Sequence, residues 1–217
     1  MLIPVTKEHI ITADKLATIR ELYEFRRGGY NYNNQNNPIH QRISELHDIK
    51  IQSQSNLLTG ILFEICLFET MSETLRQRLR EQGYHNDTEI SNRMRQMNFS
   101  YGLTIGRVDD GYDYLIDRAN TPYLIDVKMY GTRLFTNQNQ VQNYNLLVDA
   151  RQFNRNIATQ YVQGFLIDNN NSLIIYVAGW TDENQLEYME NRNNCYAISV
   201  RDLNQIGTLI DIIYQNG

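Results

Sequence analysis

The run YLIDVKM at residues 123–129 alternates like a strand, placing Tyr123, Ile125, Val127 and Met129 on one face and Leu124, Asp126 and Lys128 on the other. The first face is core material. The second sets a carboxylate beside an amine on a segment otherwise too apolar for solvent. Upstream, GYDYLID (111–117) is also strand-like, and RANTP (118–122) separates the two runs. A hairpin closed with Asp117 opposite Pro122 sets Leu115 opposite Leu124 and Asp113 opposite Asp126. Opposed side chains have Cβ atoms about 5 Å apart, and two carboxylates at that distance repel by roughly 3 kcal/mol at an effective dielectric near 20. A divalent cation offsets that cost, and hard oxygen ligands suit Mg²⁺ or Mn²⁺. Lys128 is then placed to help activate a water or to steady charge developing on a phosphoryl group. The competing reading makes Asp113 a turn residue and Asp126–Lys128 a surface ion pair.

A third acid comes from NLLTGILFEICLF (56–68), apolar nearly all round and therefore a buried helix. Glu64 shares a face with Leu57, Gly60, Ile61 and Phe68. A buried carboxylate is costly unless it is hydrogen-bonded, paired or ligating a cation, so either metal binding or a backbone or arginine partner accounts for it. Gly60 leaves room on that face for another backbone or a substrate. Glu69 and Asp117 are the alternative acids, and Asp109 and Asp110 are turn residues of a DDG corner.

The elements that must position these groups follow from periodicity and breakers. Helices are expected over 12–27, 39–51 and 55–82. Three strands follow, within YGLTIGRV (101–108), 112–117 and 123–130, and then a polar connection over 132–145. A helix over 147–162, strands in GFLID and LIIYVAGW, a helix over 182–191, a strand CYAISV and a last helix over 202–214 complete the chain. This order describes one α/β domain with a central mixed β-sheet flanked by helices. Residues 1–52 form a helical N-terminal elaboration, 55–180 a catalytic core, and 181–217 a C-terminal helix–strand–helix.

The acid on the first long helix, the aspartate opening a strand and D-V-K on the next strand resemble the PD-(D/E)XK nuclease superfamily over residues 57–180. The matching elements are GILFE with Glu64, GYDYLID with Asp113, and YLIDVK with Asp126 and Lys128. No proline precedes Asp113, and the last acid is aspartate, as in a minority of members. The resemblance implies a restriction-endonuclease-like core. It also implies one or two Mg²⁺ ions, replaceable by Mn²⁺, on Glu64, Asp113 and Asp126, with Lys128 assisting the attack of water on a phosphodiester. Double-stranded DNA, cut by a homodimer of restriction or phage-borne type, is the implied substrate. Cap-snatching RNA endonucleases, a viral branch of the same superfamily, add a helix histidine as metal ligand. His40 or His47 would be its counterpart here, although two turns, some 10 Å, separate the two. A nuclease-like fold that only binds nucleic acid or another protein is the reading outside enzymes.

The chain has 217 residues, 41% hydrophobic and 21% charged, with a net charge of −5. The apolar share excludes a disordered chain, and the acidic balance argues against coating nucleic acid by bulk charge. Arg76, Arg78, Arg80, Arg93 and Arg95, a second group of Arg20, Arg26 and Arg27, and Lys50 are either solvated helix faces or phosphate contacts. Asn and Gln cluster at 31–37, 137–145 and 169–171, as polar loops or as amides suited to base edges. Cys66 and Cys195 read as buried thiols of a reducing compartment. Neither a signal peptide nor a membrane span is expected, and the expected location is the cytoplasm.

Overall fold

The computed structural model describes residues 1–26, 37–102, 112–117, 122–155, 157–192 and 194–216. Arg27, the amides at 31–36, and Asp109 and Asp110 lie outside these residues. In chain order the elements are β1 (Leu2–Pro4), α1 (Lys7–Arg26), α2 (Pro38–His47), α3 (Leu57–Glu81), α4 (Asp87–Gln96), β2 (Phe99–Tyr101), β3 (Tyr114–Ile116) and β4 (Tyr123–Phe135). These are followed by β5 (Asn145–Asp149), α5 (Ala150–Phe153), β6 (Gln160–Asp168), β7 (Leu173–Asp182), β8 (Glu187–Met189), β9 (Cys195–Ser199) and α6 (Ile206–Gln215).

Six strands form one mixed sheet in the order β1-β7-β6-β4-β3-β2, and a second sheet has the order β5-β9-β8. β2, β3 and β4 are an antiparallel meander, β4 and β6 run parallel, and the remaining pairs of the larger sheet are antiparallel. The two faces of the larger sheet are covered differently. On one, Ile125, Val127, Val162 and Leu166 pack with Leu58, Ile61, Leu62 and Ile65 of α3. On the other, Phe165 and Ile167 meet Phe135, Val141 and Val200, while Tyr161 packs with Leu146 and Val148 of the small sheet. The sheet is therefore sandwiched between helices and a three-stranded sheet. Leu62 is fully buried in the helical layer, and truncating such a leucine to alanine costs about 2–5 kcal/mol.

Local chemistry sets the ends of the helices. Asn37 accepts a hydrogen bond from Ile39 N at 2.9 Å and Pro38 fills the first turn of α2. Gly83, at φ +99°, closes α3 in the left-handed region where a side chain would be strained. Close approach matters as well: a Cβ on Gly164 of β6 would sit 2.5 Å from Phe63 Cε1 of α3.

The mixed sheet flanked by helices is as expected, and several elements differ. The helix expected over 147–162 is instead strand β5, the four-residue α5 and strand β6. The helix expected over 182–191 is β8 between two short 3₁₀ turns. α4 occupies a stretch expected to be irregular, and β4 runs to Phe135 into the expected polar connection. α1 starts at Lys7 rather than at residue 12, and α6 starts at Ile206 rather than at residue 202. Of the strand expected in YGLTIGRV the described part is Tyr101, in β2; residues 103–108 lie outside the described residues. No helix among the described residues is long and apolar enough to cross a membrane.

Candidate active site

The β3–β4 hairpin has the register its sequence predicts, with Leu115 opposite Leu124 and Tyr114 opposite Ile125. Asp113 lies one residue beyond the last pair. Its N–H donates to Ile125 O at 2.8 Å and its carbonyl accepts from Gly102 N at 2.8 Å, so its backbone is pinned between β2 and β4. Its carboxylate Oδ2 accepts a hydrogen bond from Val127 N at 2.7 Å. The hairpin acid thus grips the backbone between Asp126 and Lys128.

Asp126 and Lys128 lie on the face of β4 opposite Ile125 and Val127, as alternation requires. Lys128 Nζ is 2.6 Å from Asp126 Oδ2. Gln152 of α5 joins them: its Nε2 donates to Asp126 Oδ2 at 2.8 Å and its Oε1 accepts from Lys128 Nζ at 2.9 Å. Asp126 is 5% exposed, so this is not a surface ion pair. α5 owes its short existence to Asp149, whose Oδ1 caps Arg151 N at 2.8 Å. Gln163, paired with Lys128 across the parallel ladder, donates from Nε2 to the Lys128 carbonyl at 2.9 Å.

Glu64, 6% exposed, accepts a hydrogen bond at Oε2 from the Tyr101 hydroxyl at 2.9 Å. The Tyr114 hydroxyl donates to the Glu64 backbone carbonyl. Both tyrosines belong to an aromatic cluster with Phe68 and Phe99. Beside Glu64 a cleft of ≈ 380 Å³ opens, lined by Arg20, Gln54, Asn56, Gly60 and Ile61 among others. Among the described residues nothing lies within 4 Å of where a Gly60 Cβ would be, which leaves that face of α3 open to them.

Asp113 is the electrostatic hinge of the group. Burial, then the negative charges of Glu64 and Asp126, push its carboxyl well above the ordinary range, against the opposing pull of the Val127 amide and Lys128. Burial and the Glu64 charge likewise hold the Tyr101 hydroxyl protonated far above its ordinary value. Glu64, Asp113, Asp126 and Lys128 are therefore one charge-coupled neighbourhood. The donor set is hard oxygen and carries more negative than positive charge, which fits Mg²⁺ or Mn²⁺ in kind. The three carboxylates do not close on one point: among the described residues no group of three His, Cys, Asp or Glu side chains is close enough to hold a metal ion.

The other candidates lie elsewhere. Glu69 is exposed and pairs with His9 of α1 at 2.9 Å. Asp117 is exposed at the far end of the hairpin. His40 is buried and His47 half-buried, each with a buried Nε2 that finds no hydrogen-bond partner among the described residues. Burial pushes the Cys66 thiol up to about 12, which leaves it unreactive. Arg78 reaches Asp211 of α6 at 2.6 Å, and Arg80 and Arg76 pair with Glu73 at 2.9 and 3.7 Å. Sequence reasoning missed Gln152, which fell inside the longer helix expected over 147–162 rather than in the four-residue α5, and also Tyr101 and Tyr114. The strand position of Tyr114, on the same face as Ile116, was the one available signal.

No family model matches the chain, and no curated protein matches it in sequence.

Proposed function

We propose that the protein is a Mg²⁺-dependent endonuclease of the PD-(D/E)XK type that hydrolyses DNA phosphodiester bonds. The proposed enzyme acts as a homodimer on double-stranded DNA, like a sequence-specific restriction or phage-borne nuclease. The observation that carries this reading is the charge coupling of Asp113 to both Glu64 and Asp126, with the Lys128 ammonium 2.6 Å from Asp126. A module that merely binds phosphate gains nothing from buried carboxylates set against one another.

The order of elements supports a restriction-endonuclease-like core. A long helix (α3) precedes an antiparallel meander (β2, β3, β4), and a crossover then leads to a strand parallel to β4. The crossover departs from the expectation of a long helix, since it carries β5 and only the four-residue α5.

In this reading Asp113 and Asp126 hold the cation, Mg²⁺ or Mn²⁺, with Glu64 completing the charge. The ion supplies a lowered pKa for water and neutralisation of charge on the phosphoryl group. The chain's own groups do the positioning. Val127 N–H fixes the Asp113 carboxylate and Tyr101 fixes that of Glu64. Gln152 hydrogen-bonds both Asp126 and Lys128, so that the ammonium is held ready for the attacking water or the departing oxygen. The net charge of −5 suits a protein that engages DNA at a defined cleft rather than by bulk attraction.

The test is digestion of mixed genomic DNA by the purified protein in Mg²⁺, with Lys128→Ala alongside and its fold checked by circular dichroism. Discrete bands from the wild type, lost in the variant, are expected; DNA left intact by the wild type would refute the reading.

A further inference from the structure

A second concavity lies next to the Glu64 cleft. It has a volume of ≈ 810 Å³, between α2 and the segment 50–54, and Gln54 lines both hollows. Its walls include Gln41, Gln52, Gln54, His40, Lys50 and Ile51. We propose that this groove is where the protein reads the bases of its nucleic-acid substrate, and that its lining favours adenine. The proposal rests on the endonuclease reading above and adds a recognition site to it.

Three observations converge on this assignment. Gln41, Gln52 and Gln54 are exposed, and their side-chain amides make no hydrogen bond among the described residues. Each offers a donor and an acceptor side by side, the pattern that pairs with the N6 and N7 edge of adenine. The charge of the lining is nearly balanced, with Lys50 against Glu45, which suits a neutral base edge better than a run of phosphates. Arg20, in the adjoining Glu64 cleft, is a cation at the place where the strand's backbone would continue.

The wall is also stiff, so little ordering is required on binding. Asp14 of α1 accepts hydrogen bonds from Gln52 N and Ser53 N at 3.1 and 2.8 Å. Glu21, two turns on, accepts from Gln54 N at 3.1 Å and Ser55 N at 2.9 Å. Two helix carboxylates thus fix four consecutive amides of the segment that carries Gln52 and Gln54. Across the groove α2 is tied to the sheet by Arg42, whose Nε donates to Asp168 at 2.6 Å. The size lies within the range of clefts that take specific ligands.

The experiment is fluorescence anisotropy of labelled DNA duplexes in EDTA, so that no strand is cut. One duplex contains only A·T pairs and the other only G·C pairs. The double variant Gln41→Ala/Gln54→Ala is compared with the wild type after thermal melts establish that it folds. The wild type is expected to bind the A·T duplex more tightly. The variant is expected to lose roughly tenfold or more on that probe, the scale of one bidentate amide–adenine contact, and nothing on the G·C duplex. Unchanged binding, or an equal loss on both probes, overturns the proposal. So does binding of deoxyadenosine monophosphate at the groove without binding of either duplex. Magnesium-dependent cleavage lost in Lys128→Ala, together with indifferent glutamine variants, sinks the groove assignment alone. A wild type that neither binds nor cuts DNA sinks both.

Discussion

Asp113 and Val127 are joined by a 2.7 Å hydrogen bond from the Val127 amide to the Asp113 Oδ2. Through that bond a side chain of one hairpin strand fixes the backbone of the other at the link between Asp126 and Lys128. Together with the pull of the Lys128 ammonium it favours the charged carboxylate, and both are outweighed by burial and by two neighbouring negative charges.

The first prediction concerns pH. An acid whose folded pKa lies above its unfolded value stabilises the fold fully below the unfolded value, about pH 4. That contribution is lost as pH rises through the folded value. Wild-type protein is therefore expected to lose stability from pH 4 upward on account of Asp113. Asp113→Asn keeps an acceptor for Val127 N and removes the loss. Chemical denaturation should show the variant equal to wild type at pH 4 and more stable at pH 8. A variant less stable at both pH values would contradict the placement of this charge.

If the acids hold a divalent cation, Mn²⁺ or Mg²⁺ added at pH 8 should raise the melting temperature of the wild type, because binding to the folded state alone stabilises it. The shift should vanish in Asp113→Asn and in Asp126→Asn. Thermal melts across a metal titration read this directly, without any nuclease assay.

Gln152→Ala is expected to remove hydrogen bonds to both members of a largely buried ion pair, costing about 1–3 kcal/mol and lowering cleavage by more than the loss of folded protein explains. Gln152→Glu puts a carboxylate 2.8 Å from Asp126 Oδ2. It should be less stable than Gln152→Ala in EDTA and recover when Mn²⁺ is added. Equal recovery of both variants would count against a cation beside Asp126.

Gly164→Ala tests the seat of α3 on the sheet. Its Cβ would meet three Phe63 ring carbons at 2.5, 2.6 and 2.9 Å, and Phe63 is fully buried. Overpacking of this kind costs about 1–3 kcal/mol. Gly60→Ala, on open ground in the same helix, should instead stabilise by about 1 kcal/mol. Urea denaturation of the two variants should give opposite signs.

The hairpin was readable because alternation and turn residues fix register together, so Leu115 and Leu124 could be paired from sequence. α3 was readable because NLLTGILFEICLF is apolar nearly all round, the mark of a buried helix. The failures have physical causes. In β5, Leu146 and Val148 are buried and Leu147 is exposed, yet three successive apolar residues hide that alternation. β6 is buried on both faces from Gln160 to Ile167, so its sequence lacks the contrast by which strands are recognised. β8 has three residues and is specified by its partner β9 rather than by itself. α4 did carry its signals, with Asn86 capping Thr88 N at 2.8 Å, Asp87 and Glu89 in the first turn and Arg93 and Arg95 in the last. It buries only Ile90, which left little periodicity to find. Of the site, the four charged residues were legible by type and spacing. Gln152 was not, because the contact that matters comes from a crossover whose path only the tertiary structure sets.

The sheet is completed by β1, whose Leu2, Ile3 and Pro4 pair with Tyr176, Ile175 and Ile174 of β7. β1 thus waits for a partner strand far along the chain, while α1 behind it is already held by α3 and by the segment 52–55 that Asp14 and Glu21 grip. Closing so long a loop is slow compared with local contacts. The helix–meander portion from α3 to β4 can gather early, whereas the edge at β7 stays open during translation and is the surface most exposed to wrong partners in that interval.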